Sequence, residues 1–341
     1  MSRETALVVC PGRGVYNAPE LGYLARHHAD KSDRIAAFDA QRKDAGQPSI
    51  AALDGRERFT RADFLRGDNA SGLIYACSFA DFLSIDRDRF DIVAVTGNSM
   101  GWYTALACAG ALSGEDGFRL VNTMGTIMHE HSVGGQFVYP AMDADWRPDA
   151  GVLAKLHGLI AEIDSLYLSI RFGGMLVLAG TEAALDAAEA RLPKVDGRFP
   201  MRLPGHGAFH TPLMEGNAAR GREALSADLF ADPDLPLVDG RGAIWRPGAC
   251  DVAALHAYTL GHQVVEPFDF TAAVQIGLKE FAPDRIVVLG PGNTLGGATA
   301  QAMLGAGWDG MRTKADFIAR QGADPVLLAM GHADQRGRVV G

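Results

Sequence analysis

Gly97-Asn98-Ser99-Met100-Gly101 is the segment of this chain whose residue types and spacing most directly imply chemistry. A GxSxG run acquires meaning from its setting. A strand must lead into it and a helix must leave it, so that the serine rides a tight, strained turn. The helix start then offers backbone N–H groups and a partial positive charge to a developing oxyanion. Both flanks are present: Ile92–Thr96 is a short β-branched apolar run, and Trp102–Leu112 is rich in Ala and Leu. A glycine-rich chain produces such a pentapeptide by chance, so the strand–helix frame carries the inference rather than the five letters.

A serine hydroxyl needs a base, and the chain has 10 histidines. The most unusual setting is Gly205-His206-Gly207-Ala208-Phe209-His210-Thr211-Pro212-Leu213-Met214, where glycines and a proline mark an irregular loop of the kind that mounts functional groups. Spacing alone does not choose between His206 and His210. A second loop, Pro11-Gly12-Arg13-Gly14, closes the first apolar run and could aim a backbone N–H near Arg13 at the same oxyanion. It contains neither GxxxxGK[ST] nor GxGxxG, so it is not a phosphate loop.

The elements that must position these groups alternate. Ala6–Cys10, Ile92–Thr96 and Ile286–Leu289 are short apolar runs ended by proline or glycine, the pattern of parallel strands buried on both faces. Helices are predicted over Trp102–Leu112 and Gly117–Met128, giving an α/β class. From 135 to 204 the rhythm changes: strand Gln136–Tyr139, helix Val152–Ile163, two strands around Gly173-Gly174, helix Glu182–Leu192, strand Met201–Leu203. That βαββαβ order is the ferredoxin-like unit, here expected as a subdomain inserted into a core of residues 1–134 and 205–341. The alternative is that these strands extend the main sheet. The Gly/Arg-rich tail from about 330 is expected to be poorly ordered.

With 341 residues, 48% of them apolar and 21% charged, the chain is long enough to bury a sizeable core. Its net charge of -9, with scattered cations, argues against non-specific nucleic-acid binding and against attraction to a membrane surface. An acidic partner could still dock on a local basic patch. Cys10, Cys77, Cys108 and Cys250 lie far apart with no metal-like spacing, and read as small apolar residues in a reducing compartment. The N-terminus lacks the apolar stretch of a signal peptide or membrane helix, so a cytoplasmic setting is expected.

Taken together, these segments resemble the malonyl-CoA:acyl-carrier-protein transacylase (acyltransferase) family of fatty-acid and polyketide synthesis. Pro11–Gly14 stands where that family has Pro-Gly-Gln-Gly, and Gly97–Gly101 stands where it has Gly-His-Ser-x-Gly. Phe209–Met214 matches its Phe-His-Ser-Pro-Leu-Met, which turns the choice of base to His210. Gln263–Pro267 and Gly290-Pro291-Gly292 match two later segments, so the likeness runs in order from about 6 to 300. The resemblance implies an α/β-hydrolase-like core and a ping-pong transfer through acyl-Ser99. His210 would act as base, the backbone N–H groups of Met100 and Arg13 as oxyanion hole, and a backbone carbonyl near Gln263 as the group orienting the histidine. Acyl-CoA and the phosphopantetheine of an acyl carrier protein enter as substrates; no metal or tightly bound cofactor is implied.

The departures concern the acyl group. Malonyl-specific members carry an arginine in a stretch resembling Leu120–Met128, and Met124 occupies its place. A thioether cannot pair bidentately with a malonyl carboxylate, so a neutral acyl group is expected unless another cation substitutes. Arg171, aligned with a cleft-facing asparagine of the family, and Arg13 are the candidates; a surface position is the plainer reading of Arg171. Asn98 replaces the histidine beside the nucleophile. The same site could instead hydrolyse acyl-carrier or acyl-CoA thioesters, or belong to a non-catalytic carrier-binding subunit. A generic esterase would need an acid and a histidine late in the chain, where only His332 lies.

Overall fold

The computed structural model describes residues 3–341. Its strands, in chain order, are β1 (Glu4–Cys10), β2 (Phe90–Gly97), β3 (Gly135–Pro140), β4 (Leu166–Phe172), β5 (Met175–Gly180), β6 (Met201–Arg202), β7 (Leu237–Val238), β8 (Ile244–Trp245), β9 (Phe268–Asp269), β10 (Arg285–Val288) and β11 (Leu327–Ala329). The larger sheet runs β11-β10-β1-β2-β7-β8. Its pairs are parallel except the last, β7 with β8. Ala6 to Cys10 are wholly buried, which is why β1 reads as an unbroken apolar run.

Three helices frame the functional end of this sheet: α1 (Gly67–Leu83), α2 (Gly101–Cys108) and α3 (Gly114–His131). Helix α2 stops short of the predicted Leu112 because Gly110 adopts a left-handed conformation, φ 79°, that ends the turn. Helix α3 begins earlier than predicted, where the Ser113 hydroxyl accepts from the Asp116 N–H. Helix α1 was not predicted at all. Every residue from Gly67 to Phe82 is buried, so the segment carries no apolar stripe for periodicity to detect.

The smaller sheet runs β6-β3-β5-β4-β9. Its first four strands pair antiparallel, and with helices Ala150–Glu162 and Glu182–Arg191 they complete the βαββαβ unit. The fifth strand, β9, comes from outside 135–204 and adds in parallel to β4, Ile170 opposite Phe268. The small sheet is therefore stitched to the core chain, a joint that two residues of strand could not announce in the sequence. Among the described residues no helix is long and apolar enough to cross a membrane. Cys10, Cys77 and Cys108 are buried, Cys250 is half-buried, and all four are free.

The tail corrects an expectation. Residues beyond 330 are docked rather than loose: Val339 is wholly buried, and the Arg336 guanidinium donates to Asp81 at 2.6 Å and to Tyr23 Oη at 2.9 Å. Asp81 also accepts from Tyr23 at 2.8 Å, lies 2.8 Å from His28 Nε2, and receives the Gly290 N–H at 2.7 Å. Glycine and arginine content signalled disorder, but one buried carboxylate 255 residues away gives the arginine its counter-charge. Asp81→Asn would leave Arg336 buried without that charge. We expect a loss of about 3–5 kcal/mol in urea unfolding; a loss under about 1 kcal/mol would show that the cluster does not hold the tail.

Candidate active site

Ser99 sits between β2 and α2 with φ 55°, a conformation a non-glycine residue adopts only when its surroundings impose it. Two glycines make the turn possible. A Cβ on Gly97 would lie 2.2 Å from the Gly101 carbonyl oxygen, and one on Gly101 would lie 2.2 Å from that of Cys10. The Asn98 N–H donates to the same Cys10 carbonyl at 3.0 Å, so the elbow is pressed onto the end of β1 where the Pro11–Gly14 loop begins. Among the described residues, neither the Met100 nor the Arg13 backbone N–H donates to a protein acceptor.

His210 faces the serine. Its Nε2 is 2.7 Å from Ser99 Oγ, and its Nδ1 is 2.7 Å from the backbone oxygen of Gln263. A carbonyl only accepts, so Nδ1 bears the hydrogen and Nε2 turns its lone pair to the serine O–H. His210 also has a positive φ, 59°, and its N–H donates to the Val264 carbonyl at 3.1 Å. Burial pushes its pKa down to about 4, with the Gln263 carbonyl pulling the other way. The ring is therefore a neutral acceptor at ordinary pH.

Gln263 does more than lend a carbonyl. Its buried side chain accepts from Tyr103 O–H at 3.0 Å and donates to the Ser99 carbonyl at 3.1 Å, tying the elbow to the segment that orients the histidine. Of the two histidines left open by spacing, His206 does not reach the serine; its Nδ1 lies 2.8 Å from Gln136 Oε1.

Two cavities meet at Ser99. The first, about 50 Å³, is walled by Met100, Tyr103, Val121, Met124, Met128 and His210. Met124 is almost wholly buried there. The second, about 360 Å³, lies against the small sheet and is faced by Val138, Ile170, Phe172, Met175 and Val177, with Asn98, Gln136 and His206 among its polar members. Ser99, Arg13 and Phe209 border both. The Arg13 guanidinium sits 5.8 Å from the Phe209 ring centre and donates to the carbonyls of Leu65 and Gly205 at 2.7 and 3.0 Å. Desolvation lowers its pKa to about 10, so it remains a cation.

Arg171 is the residue the structure removes from the site. Ile170 and Phe172 turn into the larger cavity, and strand alternation sends Arg171 to the other face. There it is half-buried, 3.5 Å from Asp269. Reading the chain also missed Tyr103, Phe209 and the pair Gln136 and Ser169. Tyr103 carries no motif of its own, and Phe209 enters only as the first residue of the motif that singles out His210. Gln136 shows a polar residue in a strand that is otherwise apolar, a signal that could have been followed. Among the described residues no cluster of three or more His, Cys, Asp or Glu could hold a metal ion.

A serine on a strand-to-helix elbow of a mainly parallel sheet, a histidine oriented by a backbone carbonyl, and an inserted βαββαβ unit define a serine–histidine protein with an α/β-hydrolase-like core. No protein-family model matches the chain. A stretch of 203 residues is 27% identical to malonyl CoA-acyl carrier protein transacylase of Bacillus subtilis (strain 168), covering 59% of this chain and 62% of that one. The chain thus matches about three-fifths of the length of that relative. A polyketide synthase of Streptomyces halstedii is 31% identical over 202 residues, 59% of this chain and 3% of that one. The malonyl-CoA:ACP transacylase of Synechocystis sp. PCC 6803 superposes with a TM-score of 0.76 at 19% identity, over 98% of this chain and all of that one. A malonyl-transacylase solved in complex with its type II polyketide acyl carrier protein gives 0.72 at 20% identity, over 97% of each chain. The chain is similar in sequence to malonyl CoA-acyl carrier protein transacylases over about three-fifths of its length, and it shares the fold of their solved structures over 98% of it.

Alanine for glycine inside a helix ordinarily stabilises by about 1 kcal/mol. At Gly101 the sign should reverse, because the new methyl meets the Cys10 backbone. We expect Gly101→Ala to lose roughly 1–3 kcal/mol in thermal unfolding; a gain would mean that the elbow is not held against β1.

Proposed function

We propose that this protein is an acyltransferase that moves an acyl group from acyl-CoA to the phosphopantetheine thiol of an acyl carrier protein through an acyl-Ser99 intermediate. The observation that carries the reading is the line from Ser99 Oγ through His210 to the Gln263 carbonyl, both contacts at 2.7 Å. The relatives' names, which give malonyl-CoA as donor, and the neighbour solved with its carrier protein support a CoA thioester as donor and a carrier protein as acceptor.

In the first half-reaction His210 Nε2 takes the serine proton as Oγ attacks the thioester carbon. The Met100 and Arg13 N–H groups, both free to donate, would hold the oxyanion. The C–S bond then breaks, and His210 returns the proton to the departing CoA sulfur. In the second half-reaction the carrier thiol gives its proton to His210, its sulfur attacks the acyl-serine carbon, and Oγ leaves and is reprotonated. The Gln263 carbonyl supports the imidazolium formed in each half, a task an aspartate performs in other triads. No resident cofactor enters this scheme, and a cytoplasmic setting suits its soluble substrates.

The acyl group is neutral on this reading. Met124 offers the first cavity a thioether where a carboxylate would need a guanidinium. Arg13 borders that cavity too; its Nη2 is held by two backbone carbonyls, while its buried Nε has no protein partner among the described residues.

Intact-protein mass after mixing with a panel of acyl-CoAs tests the whole scheme. A neutral acyl adduct is expected on the parent, none on Ser99→Ala, and discharge onto an added carrier protein. Free acid without a lasting adduct would replace transfer with hydrolysis, and no adduct with any donor would sink the acyl-enzyme. Met124→Arg should gain malonyl loading at least tenfold; a parent that already loads malonyl as fast as acetyl would overturn neutral selectivity.

The pH dependence follows from His210. Its acid limb in kcat/KM for Ser99 acylation should fall near pH 4, and an inflection near 6.5 would contradict the neutral, desolvated ring. Between about 6.5 and 4 the unfolded chain binds a proton that the folded chain refuses. This group's contribution to stability is therefore present above about pH 6.5 and is lost as pH falls through that window.

A further inference from the structure

His206 is absent from the scheme above, yet the fold builds a polar chain to hold it. Gln136 on β3 and Ser169 on β4 are buried, and both face the loop that carries the two histidines. The hydrogen bonds in this chain admit one direction only. The Phe209 carbonyl can only accept, and it lies 2.8 Å from Ser169 Oγ, so the serine spends its proton there. Ser169 Oγ must then accept from Gln136 Nε2 at 2.6 Å. That turns the amide oxygen of Gln136 toward His206 Nδ1 at 2.8 Å, and an oxygen acceptor requires a hydrogen on Nδ1. The tautomer of His206 is thereby fixed, with the lone pair on Nε2.

Nε2 has no protein partner among the described residues, and the ring borders the larger cavity, which also reaches Ser99. Burial, and then the charge of Arg13, disfavour protonation of this ring, so the lone pair persists. An aimed acceptor in a mostly apolar chamber selects for a ligand that brings an N–H or O–H donor along an otherwise apolar or extended arm. The chamber, at about 360 Å³, is of small-molecule size, whereas the Met124 cavity, at about 50 Å³, admits only a short acyl group.

We propose that His206 Nε2 is a binding group for the substrate's thioester arm: it accepts a hydrogen bond from an amide N–H or hydroxyl of that arm, with its tautomer set by the Gln136–Ser169–Phe209 chain. The inference rests on the acyl-transfer reading for the identity of the arm, but not for the state of the imidazole. His206 is a positioning residue; it touches neither Ser99 nor His210. The same chain ends on the carbonyl one residue before His210, so the small sheet that holds the arm also braces the loop of the base.

Two measurements on the full chain test this. Long-range proton–nitrogen spectra, assigned with His206→Gln, should show His206 as a neutral Nδ1–H imidazole across pH 5.5–8; an Nε2–H tautomer or an imidazolium would overturn the proposal. Titration with pantetheine, which carries amides and a hydroxyl but no acyl group, should give a dissociation constant raised about 3- to 10-fold in His206→Phe. His206→Gln, which keeps an acceptor, should stay within about twofold of the parent. Circular dichroism and the thermal midpoint would exclude misfolding of the Phe variant. Equal affinity in all three proteins, or equal loss in both variants, overturns the proposal. Because pantetheine cannot acylate Ser99, failure of the transfer reading would show as missing adducts with this binding pattern intact.

Discussion

The contact on which the rest of the site depends is backbone against backbone: the α-carbon of Gly101 lies so close to the Cys10 carbonyl that no side chain fits between them. It joins the start of α2 to the end of β1. Once it is made, three consequences are forced. Ser99 must take a positive φ to complete the turn, the Asn98 N–H meets the Cys10 oxygen, and the Pro11–Gly14 loop is pressed onto the elbow, where a Cβ on Gly12 would lie 2.6 Å from the Asn98 carbonyl oxygen. A serine in a relaxed loop would have its hydroxyl free to rotate and no donors fixed around it. The cost of the strained turn is met by burial of β1, β2 and α2 around it, where the apolar runs are longest.

The histidine is placed by a different device. Among the described residues no carboxylate stands behind His210; a carbonyl does, and that carbonyl belongs to a residue whose side chain also grips the serine's own carbonyl. Base and nucleophile are thus referred to one residue, Gln263, and their 2.7 Å separation does not rely on loops keeping station independently. A neutral carbonyl also leaves the imidazole without a nearby negative charge. Desolvation then governs its protonation, which keeps the lone pair available far below the pH where a solvent-exposed histidine would lose it.

How much of this was legible depends on whether a residue's role is local. Ser99 was readable because its glycines, strand and helix are adjacent in sequence, and the βαββαβ segment because each element has its own periodicity. The choice of His210 over His206 was not readable from spacing, since both sit in one loop and what separates them is contact with residues 99 and 263. Family resemblance made that choice. For Arg171 the plainer reading, a position outside the cleft, is the one the fold gives: alignment supplies a position but not a strand face, and a one-residue difference in facing turns the side chain away. The tail and α1 failed for opposite reasons. One is polar in composition yet buried by a distant partner, and the other is so thoroughly buried that it has no face to show.

Phe209 brings these strands of reasoning to one place. It borders both the small cavity at Met124 and the larger chamber on the small sheet, and its carbonyl receives the chain from Gln136. A thioester has two ends of unlike character, a short acyl group and a long polar-apolar arm, and the serine must meet the carbon between them. Two unequal spaces that meet at the serine sort those ends before any bond is made, and orientation of this kind lowers the barrier without new chemistry. In the acyl transfer proposed above, the acyl side would be lined by the core and the arm side mostly by the inserted unit. Acyl selectivity and arm recognition can then change by substitution in different parts of the chain, while the Ser99–His210–Gln263 line between them stays as it is.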